Sequence, residues 1–99
     1  MGRYNVYRNL SGSGYLINVQ ADIMQPLNTR VVVPLLPLSE APKPAKAVNP
    51  LFDIDGAQHV MVTQYMAAIP AKELKSPAFS LQHRHDEIVA AIDFLFHGF

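Results

Sequence analysis

The sequence of 99 residues contains no cysteine. This absence excludes disulfide bonds, thiolate nucleophiles and cysteine-based metal sites. It fits a chain that works in a reducing compartment, and we therefore expect a cytoplasmic protein.

Long apolar runs and an excess of charge of one sign are also missing. The longest apolar run, Val31–Leu38, is interrupted by Pro34 and Pro37, and it is too short to span a bilayer. No apolar segment of the signal-peptide kind follows the N-terminus, so we expect a soluble, intracellular chain without a membrane partner. Eight basic and eight acidic residues give a formal net charge of zero. Because nucleic-acid binders usually carry a basic stripe, a protein partner is favoured over direct nucleic-acid binding.

Nearly half of the residues are hydrophobic, which predicts one packed domain over residues 1–99. Tyr4–Tyr7 and Tyr15–Gln20 carry the aromatic and β-branched residues of strands, and the Ser11–Gly14 segment between them predicts a flexible turn. A third strand is predicted over Thr29–Leu35. Pro34 within it predicts that the end of the strand lies at a sheet edge or a bulge.

The middle of the chain predicts a loop followed by a hairpin. Five prolines between Pro34 and Pro50 indicate a stretch without regular structure. Asp55-Gly56 then accepts the positive φ angles of a tight turn, between strands at Phe52–Ile54 and Gln58–Gln64. Ala71–Leu74 is a possible last strand. These short pieces predict a mainly β fold, a small twisted antiparallel sheet or partly open barrel.

The last segment predicts an amphipathic helix that Ser80 caps through its hydroxyl group. Asp86 and Glu87 would lie near the positive end of the helix dipole. At 100° per residue, His97 would point about 180° away from the centre of the apolar stripe of this helix. The stripe itself recurs with helical spacing at Leu81, Ile88, Ile92, Leu95 and Phe99.

The order of these segments resembles the CcdB toxins of toxin–antitoxin modules. The resemblance is carried, in order along the chain, by Val6-Tyr7, Asn18–Ile23, Thr29–Leu35, Thr63–Pro70 (TQYMAAIP) and the final helix from His83-Arg84 to Phe99. It covers nearly the whole chain, with the poorest match at the proline-rich loop Ser39–Asn49.

This resemblance implies an α+β fold, a five-stranded antiparallel SH3-like barrel or sheet with a C-terminal helix, in a homodimer. It implies a toxin without catalytic residues or cofactor that binds the A subunit of DNA gyrase and traps the enzyme with its DNA cleaved. A disordered tail of the cognate antitoxin would strip it off. Plasmid maintenance and transcription regulation are the biological settings implied. The gyrase-binding positions carried over by the resemblance are Ile23, Met24, Asp93, Phe96, His97, Gly98 and Phe99.

Three of these positions depart from the family pattern. The family places tryptophan at His97, asparagine at Asp93 and isoleucine at Phe99. An imidazole has a smaller face than an indole, so the departure at His97 bears directly on stacking against a partner's arginine.

Other functions remain open from the sequence. The Kid and MazF ribonuclease toxins share the implied architecture, and Arg30 with Asp22 or His59 would be the candidates for such an activity. A homologue that binds antitoxin without poisoning gyrase is the other alternative. His83 and His85, two residues apart, would lie on different faces of a helix, whereas His83 and Glu87 could share one face. No third ligand is evident beside that pair, so a metal site is not expected. His59, between apolar residues, is expected to be a half-buried, hydrogen-bonded side chain.

Overall fold

The computed structural model describes residues 2–98, over which the chain forms an antiparallel sheet and one α-helix. The strands are β1 (Asn5–Arg8), β2 (Tyr15–Asn18), β3 (Thr29–Pro37), β4 (Leu51–Ile54), β5 (Ala57–Met61), β6 (Ala67–Pro70) and β7 (Phe79–Ser80), and the helix is α1 (His85–His97). The sheet order is β4-β5-β3-β2-β1-β7, with β6 paired to β3. The predicted fold class is confirmed, with seven short strands in this part of the chain instead of five.

β3 is the central strand, so the prediction that Pro34 marks an edge or a bulge is wrong. One side of β3 pairs with β2. The other side pairs with β6 through Thr29–Val32 and with β5 through Leu35–Pro37. The carbonyl of Pro34 accepts a hydrogen bond from the Val62 amide at this change of partner. Because the N–H and C=O of one strand residue point to the same side, the N–H that proline lacks faces the junction and removes no ladder bond.

The hairpin between β4 and β5 is confirmed, but its second strand ends at Met61 instead of Gln64, and a 3₁₀ turn follows at Thr63–Tyr65. The two loop residues of the hairpin have positive φ angles, 53° at Asp55 and 79° at Gly56, as a two-residue turn of this hand requires.

Three local predictions are corrected. Ala71–Leu74 is not a strand: a 3₁₀ turn occupies Ala71–Glu73, and the strand is the preceding β6. The region between Pro34 and Pro50 is not wholly irregular, because β3 continues to Pro37 and a 3₁₀ turn follows at Leu38–Glu40. α1 begins only at His85, after a 3₁₀ turn, and the Ser80 hydroxyl accepts the Gln82 amide at 3.1 Å at the start of that turn.

The core lies between one face of the sheet and the first half of α1. Ile88 and Ala91 are fully buried against it, and Val89 and Ile92 are partly buried. The sheet contributes Val6, Ile17, Val33, Leu35, Phe52 and Met61, among others. Within residues 2–98, no helix has the length and apolar character needed to cross a membrane.

Candidate functional site

The last turns of α1 carry an exposed apolar surface. Among residues 2–98, no helix residue beyond Ile92 belongs to the core, although Phe94, Leu95 and Phe96 are all apolar. The Phe96 side chain is 64% exposed. His97 is exposed, as are Phe94 and Leu95. Phe99, the last of the predicted residues, lies outside the described part of the chain.

Asp93, Phe96 and His97 lie on one face of the helix. Their spacing of three and four residues makes them neighbours on the helix surface, and all three are exposed. An acidic group, a phenyl ring and an imidazole are therefore presented together on a regular helix, whose backbone fixes their spacing.

Gly98 ends the helix in the left-handed conformation, with φ 78°. Its amide donates to the Phe94 carbonyl at 2.9 Å, which caps the last turn. A side chain here would meet no neighbour within 4 Å, so the preference for glycine comes from the backbone angle rather than from space. The cap keeps Phe96 and His97 within the helical turn.

A second exposed apolar group lies in the loop between β2 and β3. Ile23 is 81% exposed, and Met24 lies beside it in the 3₁₀ turn Asp22–Met24. Leu27, 52% exposed, belongs to the same loop and was missed by the sequence interpretation. Its only signal in the sequence was an apolar residue in a segment of turn residues after Pro26. Within residues 2–98, the 3₁₀ turn of this loop does not pack extensively against α1.

Asp22 fixes the start of this loop to the beginning of the chain. Its Oδ1 accepts the amides of Arg3 and Gly2, both at 2.9 Å. These two hydrogen bonds to the carboxylate hold the pKa of Asp22 below its ordinary value.

The residues nominated for ribonuclease chemistry are only partly brought together. Asp22 and Arg30 line the same cleft of about 240 Å³. His59 instead pairs with Pro37 at the far end of β3, roughly 20 Å away along the strand from 3.3 Å per residue. The Arg30 guanidinium donates to three backbone carbonyls of its own loop. Asp22 and Arg30 therefore each bind backbone groups nearby, and among residues 2–98 the three nominated side chains do not come together at one place.

His59 and the candidate ligand pair His83 and Glu87 were the other side chains considered for chemistry. His59 is hydrogen-bonded as predicted, with Nδ1 3.0 Å from the Ala57 carbonyl, and its ring lies edge-on to Tyr15. It is buried instead of half-buried. Glu87, considered with His83 as a ligand pair, binds Arg84 at 2.6 Å instead. Across residues 2–98, no three side chains of the metal-ligating kinds lie together.

A scan against family models matches residues 3–98 to the family described as CcdB protein. The match includes the loop between β2 and β3 and the whole of α1, so both exposed apolar groups lie inside it.

Proposed function

The chain belongs to the CcdB family, the toxins of toxin–antitoxin modules, and from that premise we propose that it poisons DNA gyrase. In this proposal the toxin binds the A subunit of gyrase and traps the enzyme with its DNA cleaved. It acts by binding alone, without catalytic residues, cofactor or direct nucleic-acid contacts. A cognate antitoxin with a disordered tail neutralises it in the cytoplasm.

The observation that carries the proposal is the exposed face of Asp93, Phe96 and His97 on a capped helix. Aromatic anchors on rigid elements commonly dominate protein interfaces, because little side-chain entropy is lost when they bind. A phenyl or imidazole ring can also stack on an arginine guanidinium of the partner. We propose that Gly98 and Phe99 complete this contact, with Ile23 and Met24 beside it.

Homodimerisation is part of the proposal and has separate support. Phe94, Leu95 and Tyr65 are exposed apolar residues, and the 3₁₀ turn Thr63–Tyr65 packs against α1. Adjacent apolar surface of this kind favours a symmetric contact with a second copy. Sedimentation equilibrium tests it: we expect a dimer at micromolar concentration, and a monomer at tens of micromolar contradicts this part.

The direct test of the function is calorimetric titration of the chain into the gyrase A subunit, together with a supercoiling and DNA-cleavage assay. We expect saturable binding and accumulation of cleaved DNA. The variant Leu10→Ser should behave like the parent chain in both assays, because Leu10 is 79% exposed but lies in the turn after β1, outside the proposed contact. Absence of heat at tens of micromolar, with undisturbed supercoiling, contradicts the proposal for the gyrase tested.

One further assay separates the ribonuclease alternative. Incubation with RNA of mixed sequence should leave the RNA intact. Cleavage that Arg30→Ala abolishes would replace gyrase poisoning by RNA hydrolysis. A host that tolerates expression without antitoxin would instead indicate a non-toxic homologue.

A further inference from the structure

The loop from Ala21 to Thr29 combines exposed apolar side chains with several backbone hydrogen bonds. The amides of Met24, Gln25 and Leu27 donate to the carbonyls of the residues three before them. The Ala71 amide donates to the Asn28 carbonyl from outside the loop. Pro26 fixes one further φ angle. Exposed loops are usually the mobile parts of a fold, whereas this loop is held by hydrogen bonds at several positions.

Two side chains that flank the loop supply the remaining bonds. Gln20 donates through Nε2 to the carbonyls of Met24 (3.3 Å) and Thr29 (3.0 Å), and its Oε1 accepts the Val31 amide at 3.0 Å. It therefore joins the middle of the loop to the first residues of β3, Thr29 and Val31.

The Arg30 side chain forms hydrogen bonds to the C-terminal part of the loop. Nη1 donates to the carbonyls of Leu27 at 2.6 Å and Thr29 at 2.8 Å, and Nη2 donates to Gln25 at 3.1 Å. The planar guanidinium group can bind three carbonyls at once, which a lysine ammonium on its flexible stem does not reproduce.

We propose that Gln20 and Arg30 are positioning residues that hold Ile23 and Met24 in their binding conformation before the partner arrives. This inference rests on the proposed function, since it assigns the partner surface to the same gyrase contact. An apolar side chain on a loop that is already ordered loses less conformational entropy on binding. The role of the two residues is thus indirect: they touch the loop, and the loop touches the partner.

The test uses Arg30→Lys and Gln20→Glu in the full chain, with Arg8→Lys as the matched control. Arg30→Lys keeps the positive charge and loses the planar set of guanidinium donors. Gln20→Glu keeps an acceptor for the Val31 amide and loses both N–H donors of the side chain. We expect hydrogen exchange of the Met24, Gln25 and Leu27 amides to accelerate about tenfold in either variant. Exchange at Ala91 in α1 should stay the same, and Arg8→Lys should change neither.

Binding to the gyrase A subunit supplies the readout that a purely structural role would not move. We expect the affinity of either variant to fall about five- to tenfold while the unfolding midpoint stays close to that of the parent. In a chain that already carries Ile23→Ser and Met24→Ser, the same substitutions should change affinity by less than about twofold, because the loop then has no contact to position.

Each result decides between the two proposals. Unchanged exchange at the loop amides, or an equal affinity loss in the Ile23→Ser, Met24→Ser background, overturns the positioning role. Full retention of binding by both variants also overturns it and leaves the proposed function standing. Absence of binding by the parent chain overturns the proposed function and the recognition role with it.

Discussion

Both ends of α1 carry apolar residues, but the residues at the first end pack against the core and those at the last end are exposed. At the first end, Arg84 stacks over the Phe52 ring at 4.4 Å and donates to the Leu51 carbonyl of β4. The His85 ring packs edge-on against Tyr4 of the core. At the other end, Phe94, Leu95 and Phe96 extend beyond the core, and Phe96 has most of its surface exposed.

This difference separates stability from recognition along one helix. Apolar residues in the first half are buried on folding and contribute to the free energy of unfolding. Apolar residues in the second half remain exposed in the single chain, so their burial can contribute only when another protein covers them. Substitutions in the two halves should therefore affect different measurements.

The largest effect should follow Ile88→Ala in the buried half. Ile88 has no exposed surface, and its truncation leaves a cavity that costs about 3 kcal/mol of unfolding free energy. Urea denaturation measures the loss. Leu95→Ala is the matched control. Measured at a concentration at which the chain is monomeric, it should cost under about 1 kcal/mol, because the residue is partly solvated there. Equal losses at the two positions would contradict the division of the helix.

Phe96→Ser should weaken binding and leave stability nearly unchanged, unlike Ile88→Ala, which should lower the free energy of unfolding. We expect the affinity for the gyrase A subunit to fall about thirtyfold, which corresponds to about 2 kcal/mol, from loss of an aromatic anchor. The unfolding free energy should change by under about 0.5 kcal/mol, because the side chain is exposed in the free chain. Calorimetry and urea denaturation on the same preparation check both numbers. A destabilised variant with parental affinity would show that Phe96 belongs to the core.

His97→Trp should sharpen the recognition end by restoring the family's larger ring. The wider indole face stacks better on a cationic partner, and we expect a gain of about fivefold in gyrase affinity. His83→Trp is the control, since His83 is exposed in the 3₁₀ turn at the opposite end of the helix. A gain from both substitutions would indicate nonspecific adhesion of tryptophan.

The smallest effect concerns the ion pair at the buried end. Hydrogen bonding to Arg84 lowers the pKa of Glu87 below its ordinary value of 4.5. A lowered pKa in the folded state contributes stability above pH 4.5 that is lost as the pH falls through the folded pKa. Since the pair is partly exposed, Glu87→Gln should cost under about 1 kcal/mol at pH 7. The difference from the parent should shrink in acid and in high salt.

Local signals in the sequence were enough for some features. The Asp55-Gly56 hairpin depends on two residues with positive φ angles, and the helical character of the last segment depends on the spacing of its apolar residues. Neither needs information from a distant part of the chain, so both predictions hold.

Features that depend on distant partners were missed. β6 contains two alanines with little strand preference and forms because it pairs with the first half of β3. β7 is two residues long and pairs with β1 from across the sequence. The bonds from Gln20 and Arg30 to the loop between β2 and β3 likewise require three-dimensional proximity that no spacing rule supplies.

Pro34 disfavours a shifted register between β3 and its neighbouring strands. If β3 slid by one residue, Val33 and Leu35 would turn from the interior to the outside. The slipped proline would then face β2, where its missing N–H would leave one carbonyl of that strand without a donor. A misaligned sheet would thus expose Val33 and Leu35 and also leave a carbonyl of β2 unpaired opposite Pro34. The second cost comes from the proline, which therefore favours the native register of β3.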